Sequence, residues 1–238
     1  MKVAIMDLES MMYAKLYSKS DEVKEFEHVK EAMDKSIQNL FFYTNCTHYI
    51  GFLTTKSFRY GLYSEYKGKR KDKPEFYAEL KQYLIDKYIF QLLDNYEADD
   101  LCAACAKSFR ENNIDYVVCN IDKDLDQIVG THFNYQKNSL VYINEFEAMY
   151  NLATQMFVSQ PSDNIHPCKG IGEKAAIEIL STCKTKLDFI KQVLNVYKNG
   201  YKRFKGYEDY KDKIRLYYKL VYLEENIPFD YLNSINKI

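Results

Sequence analysis

Short β-prone runs alternate with helical stretches through the first part of the chain, and acidic residues lie just past the ends of two of those runs. Residues 2–6, 49–53 and 114–119 are apolar and rich in β-branched or aromatic side chains. Between them, residues 22–43 place Val29, Met33, Ile37, Leu40 and Phe41 at helical spacing. Residues 75–93, opened by Pro74, and 97–109 read as further helices. Residues 124–129 begin another, and 133–135 with 140–143 read as a hairpin around Lys137-Asn138-Ser139. Such alternation predicts an α/β fold with a largely parallel central sheet flanked by helices. In sheets of this kind the reactive groups gather beyond the carboxyl ends of the strands, where Asp7 and Asp122 stand. After about residue 150 no strand is evident. Helical runs broken at Pro161, Pro167, Gly170, Gly172, Gly200 and Gly206 predict a smaller helical domain. The expected domains are 1–152 and 153–238, with no Ser/Gly-rich linker between them.

Charge narrows the function classes. The 238 residues carry 33 Lys+Arg against 34 Asp+Glu, a net of −1. That excludes a polybasic tail protein and an acidic disordered one, but leaves room for basic patches that offset an acidic site. Six cysteines are present, and Cys102 and Cys105 form a C-x-x-C within an apolar helical run. Without a second pair at zinc-ribbon spacing they read as buried thiols. The N-terminus has no secretory apolar region, and no run approaches the roughly 18 residues of a membrane span. A soluble, cytoplasmic monomer is expected.

Acidic residues form the most informative pattern. Glu97, Asp99 and Asp100 crowd a helix start, where the helix dipole explains one or two acids but not their mutual repulsion. Asp122, Asp124 and Asp126 follow a buried strand, and Asp163 precedes a Gly-rich turn. With Asp7 these clusters predict oxygen ligands converging on Mg²⁺ or Mn²⁺. Two such ions clamp the attacking and leaving oxygens of a phosphodiester. Two basic elements complement them. Residues 67–73 contain Lys67, Lys69, Arg70, Lys71 and Lys73, a solvated loop or a phosphate clamp. Gly170 and Gly172, followed by Lys174, lead into a helix whose backbone N–H groups suit a phosphate.

The ordered set Asp7, Phe58-Arg59, Tyr66-Lys67-Gly68-Lys69-Arg70, Glu97-Ala98-Asp99-Asp100, Asp122-x-Asp124, Asp163-Asn164-Ile165 and Gly170-Ile171-Gly172 resembles the 5′-nuclease family of flap endonucleases and 5′→3′ exonucleases. The similarity is strongest to its compact, stand-alone phage members such as the T-even phage ribonuclease H. The resemblance implies a PIN-like nuclease domain and a helix-hairpin-helix domain. It implies metal-dependent hydrolysis at the 5′ end of branched, nicked or flapped DNA, and of RNA in RNA–DNA hybrids, in replication or repair. It makes Asp7, Glu97, Asp99, Asp122, Asp124 and Asp163 metal ligands, with Asp100 close by. Lys67 and Arg70 would sit on the scissile phosphate, with Asp124 counted among the catalytic groups. Lys69, Gly170, Gly172 and Lys174 would hold DNA, with K⁺ at the Gly170-Ile171-Gly172 turn. Replication proteins are conceivable partners. If the source is a phage, the host cytoplasm is the setting.

The pattern has departures. The family's second-strand Asp aligns with Phe52, and the first Asp before the hairpin aligns with Gln160. Glu9 lies two residues after Asp7, which in an extended chain puts it on the same face, so it is expected to replace part of the lost charge. Phe52 and Gln160 also keep a second reading open, a non-catalytic, structure-selective DNA-binding factor. A single-strand ribonuclease of the wider PIN group is a third reading, disfavoured by a hairpin suited to duplex backbone.

Overall fold

In the computed structural model, residues 1–17 and 25–238 are described. Residues 22–24 of the first expected helix lie outside them. In chain order the elements begin with β1 (Lys2–Asp7), α1 (Glu9–Leu16), α2 (Phe26–Thr44), β2 (His48–Phe52) and α3 (Arg59–Leu62). Next come α4 (Tyr77–Tyr88), α5 (Ala98–Glu111), β3 (Asp115–Asn120), β4 (Gly130–Asn134) and β5 (Ser139–Ile143). Then follow α6 (Glu145–Gln155), α7 (Glu173–Leu180), α8 (Lys186–Asn199), α9 (Tyr210–Val221) and β6 (Asn236–Lys237).

Two compact units divide these elements. The first unit comprises Met1–Ser57, Asp72–Ile143 and Glu224–Ile238. Its sheet has the order β5-β4-β3-β1-β2-β6. β1, β2, β3 and β4 are mutually parallel, while β5 and β6 run antiparallel at the edges. The fully buried Val3, Ala4, Ile5 and Met6 put β1 at the centre, as expected of a strand covered on both faces. Ala4 and Met6 share a core with Met12, Val29, Met33, Ile37 and Leu80 from α1, α2 and α4. α5 packs on β1, β2 and β3, and its buried Leu101, Cys102, Cys105 and Phe109 form an apolar stripe at helical spacing. All six cysteines are free and buried, as their apolar settings suggested.

The second unit comprises Phe58–Lys71 and Asn144–Leu223. α6 contributes Leu152 and Ala153, α8 Phe189, Val196 and Tyr197, and α9 Leu220 and Val221 to a single core, which Tyr66 joins from the early segment. The Tyr197 hydroxyl donates to the Met156 carbonyl at 2.7 Å within it. Arg59 is buried and donates to the carbonyls of Leu220 and Tyr222 at 2.9 and 2.8 Å, closing the C-terminal end of α9.

Several boundaries differ from the sequence reading. The division falls at Ile143/Asn144, because α6 buries its apolar face in the helical core. Residues 224–238 return to the sheet, where β6 pairs with β2, a strand too short to leave a pattern. α4 is shorter than the 75–93 expected, ending where Ile89 takes a left-handed conformation. Lys123–Gln127 is a single 3-10 turn leading into β4. Glu9 opens α1, so strand alternation does not extend to it.

Candidate metal centre and basic loop

Asp7 closes β1 and stands in register with Phe52 at the end of β2. On the other side of β1, Met6 pairs with Cys119 of β3, so Asp122 follows at the same carboxyl edge. β2 lies to one side of β1 and β3 to the other, which makes this edge a topological switch point. The Asp7 Oδ1 accepts the Glu9 N–H at 3.1 Å. The Glu9 carboxylate reaches away from the strand and accepts the Thr54 N–H at 2.9 Å. The extended-chain argument for Glu9 is therefore corrected. Its carboxylate does reach the exit of β2, by way of the first turn of a helix.

Thr54 in turn ties β2 to α5, since its hydroxyl accepts the Ala98 N–H at 3.1 Å. No sequence signal marked Thr54 as a link between these segments. Glu97 caps α5 and forms a capping box with Asp100. The Asp100 N–H donates to Asp99 Oδ1 at 2.9 Å. Carboxylate oxygens of Glu97, Asp99 and Asp100 all lie within 4.8 Å of one another, and Glu97 and Asp100 are buried. Hard oxygen donors gathered at that spacing fit a hard divalent cation. Helix-start N–H groups offset part of their mutual repulsion.

Beyond β3, Asp122 Oδ1 accepts the Asp124 N–H at 2.9 Å, which fixes the D-x-D turn. Asp122 is exposed and Asp124 is half-buried. Burial, with Asp122 as a second cause, pushes the Asp126 carboxyl up to about 6. Tyr135, which the sequence did not single out, is half-buried with its hydroxyl inside; desolvation of that hydroxyl and the charges of Asp7 and Asp122 push its pKa up.

The remaining expected residues lie in the helical unit. Arg70 donates through Nη2 to Asp163 Oδ1 at 2.6 Å, and Nε reaches the Ser162 carbonyl at 3.4 Å. The Lys67 N–H donates to the Asp163 carbonyl at 3.0 Å, with Lys67 in a left-handed conformation at φ 54°. Asn164 donates to the Glu65 carbonyl at 3.1 Å. The basic loop and the Asp163-Asn164 turn are thus knitted together. Gln160 exchanges backbone bonds with Ile165 and closes that turn. Lys69 and Lys174 are exposed. Gly170 is left-handed at φ 96°, and Gly172 caps α7.

Residues 2–159 match the family described as 5′-3′ exonuclease, N-terminal resolvase-like domain. The chain is 29% identical over 190 residues to flap endonuclease Xni of Shewanella halifaxensis, covering 73% of each chain. It is 35% identical over 153 residues to DNA polymerase I of Borreliella burgdorferi, covering 58% of this chain and 16% of that one. Among solved structures, the bacteriophage T5 D15 flap endonuclease with DNA and metal ions shares the fold. That match has a TM-score of 0.67 at 18% identity and covers 94% of this chain and 90% of that one.

Proposed function

The chain belongs to the 5′-3′ exonuclease family through its N-terminal resolvase-like domain, and from that membership we propose that it is a divalent-metal-dependent 5′-nuclease acting on flapped DNA in replication or repair. The observation that carries this reading is the Glu97, Asp99, Asp100 cluster at the start of α5, with Glu97 and Asp100 buried and Asp99 half-buried, in the unit whose switch-point edge bears Asp7 and Asp122. Buried acids packed so closely cost stability unless a cation offsets them. Asp7, Glu97, Asp99, Asp122 and Asp124 are the ligands proposed. Asp163 has its carboxylate engaged by Arg70, and Asp100 by backbone N–H groups.

A divalent cation, when bound, offsets charge on the phosphodiester and lowers the pKa of water. The chain's own groups do the rest. Asp124, beside Asp122, holds and orients the attacking water. Lys67, Lys69 and Arg70 bring positive charge to the phosphates, Arg70 through a planar fork that suits their oxygens. The Gly170-Ile171-Gly172 turn and the start of α7, with Lys174, offer backbone N–H groups to duplex phosphate in the manner of a helix-hairpin-helix. We assign Mg²⁺ or Mn²⁺, two ions, to the acids and K⁺ to the turn. RNA–DNA hybrid is a second substrate, and the protein acts as a monomer in the cytoplasm beside replication proteins. Among the described residues no helix is long and apolar enough to cross a membrane.

Cleavage of a 5′-labelled flap by wild type and Asp124→Asn, with Mg²⁺, Mn²⁺ or EDTA, tests the reading, and an RNA–DNA hybrid tests the second substrate. Metal-dependent cleavage that falls at least about a hundredfold in the variant is expected. Flap binding without cleavage in any metal would assign the protein to non-catalytic DNA binding, the reading that the buried Phe52 favours.

A further inference from the structure

The segment after α9 returns to the first unit at Glu224. There the Glu224 N–H donates to Asp100 Oδ1 at 2.9 Å. The other oxygen, Oδ2, accepts the Glu97 N–H at 3.3 Å. Both oxygens of a fully buried carboxylate are thus engaged by backbone donors, one local and one from 124 residues further along the chain. The same segment is fastened along α5, where Lys107 donates to Asn226 and Arg110 pairs with Glu225 at 3.5 Å. It is anchored again on β2. The rings of Phe229 and Tyr231 meet the Phe52 ring edge-on, at centroid distances of 6.2 and 6.1 Å. Asn236 and Lys237 then pair with Tyr49 and His48.

Asp100 is the hub of the acidic cluster. Its carboxylate fixes the backbone of Glu97, and its N–H orients the carboxylate of Asp99. A carboxylate held by two backbone N–H groups is confined to one rotamer, and its neighbours are confined with it. We propose that Asp100 is a positioning residue for the metal centre, and that residues 224–238 form a strap that sets it through the Glu224 N–H. The strap makes Glu97 and Asp99 ready for a hard divalent cation before one arrives. Phe52 is its seat. An aromatic ring at the end of β2, beside Asp7, gives the strap an apolar anchor next to the acids.

This inference rests on the divalent-metal reading above, and the test separates the two. Glu224→Pro removes the N–H donor, whereas Glu224→Ala keeps it. Binding of Mn²⁺ without DNA is followed by the electron paramagnetic resonance of the free ion. Metal titrations of flap cleavage and thermal unfolding run alongside. Glu224→Pro is expected to weaken Mn²⁺ binding roughly tenfold relative to wild type, the effect of losing a group that orients a ligand. Glu224→Ala is expected to bind at least about fivefold more tightly than Glu224→Pro. The metal needed for half-maximal cleavage should rise in parallel in Glu224→Pro. Phe229→Ala, which loosens the anchor, should shift binding in the same sense. A folded Glu224→Pro that binds Mn²⁺ like wild type overturns the proposal, as does an Ala variant equal to the Pro variant. If Glu224→Pro does not fold, unchanged Mn²⁺ binding by Phe229→Ala overturns it. Wild type that binds no Mn²⁺ also overturns it. Wild type that binds Mn²⁺ through this strap but cleaves nothing removes the nuclease reading and leaves the strap.

Discussion

Arg70 and Asp163 form an ion pair with 2.6 Å between Nη2 and Oδ1, in which the arginine side chain is 41% exposed and the aspartate side chain 11%. The sequence assigns one to a phosphate and the other to a cation, yet each is the other's partner. Water reaches the arginine, so the pair contributes no more than about 1 kcal/mol, and a phosphate competes for the guanidinium on favourable terms. Arg70→Ala is expected to weaken flap binding several-fold and to lower the slope of log affinity against log salt by about one. Folding stability should move by about 1 kcal/mol. Anisotropy titrations over a KCl series, with urea denaturation, measure both. An unchanged salt slope would remove Arg70 from the DNA surface.

Asp126 provides a pH signature. Burial holds its carboxyl at about 6 in the fold, above the ~3.9 of an unfolded chain. The folded state therefore keeps a proton that the unfolded state has lost between those values. The stabilisation from that proton is complete below about pH 4 and is lost as pH rises through 6. Asp126→Asn does not titrate. In EDTA it should match wild type near pH 4 and exceed it at pH 7.5 by about 1 kcal/mol, a figure reduced for solvent screening. Urea midpoints across that range test this, and equal midpoints at pH 7.5 would contradict it.

The sheet and the acids were legible because their causes are local. The buried run of β1, the D-x-D after β3 and the apolar stripe of α5 behind its capping box each follow from a few adjacent residues. The misses share one feature, a partner far along the chain. Glu9 looked like a strand residue because its place is set by Thr54, 45 residues later. The two compact units divide before α6, not after it, because α6 buries its face among helices that follow it. Phe52 looked like a lost ligand, and nothing near it in sequence shows that Phe229 and Tyr231 cover it.

That covering bears on whether a carboxylate can be placed there. Phe52 is fully buried against two aromatic rings. Phe52→Asp removes a large core side chain, at about 3–5 kcal/mol, and adds an acid that must be buried or drag the strand end into water. The variant is expected to lose at least about 4 kcal/mol in guanidinium denaturation, and no gain in metal affinity should accompany it. A well-folded variant that binds Mn²⁺ more tightly would show that the site tolerates a charge there and that the aromatic seat is dispensable.

Gly172 separates a glycine kept for its own backbone from one kept for a ligand. It caps α7 in an extended conformation, φ −100°, and a Cβ built there meets nothing within 4 Å. Gly170 also has open space but sits at φ 96°, a conformation that costs an L side chain about 1–2 kcal/mol. Gly172→Ala should therefore lose less than about 1 kcal/mol of stability, the ordinary cost of alanine at an N-cap. If duplex phosphate approaches this backbone, the added methyl stands between them, and flap affinity should fall roughly tenfold, about 1.4 kcal/mol. Gly170→Ala should lose both stability and affinity. Thermal unfolding and flap binding on the two variants decide the matter. A Gly172→Ala protein that binds flap as wild type does would mean that the turn serves only the chain's own geometry, and that the basic residues alone carry the helical unit's grip on DNA.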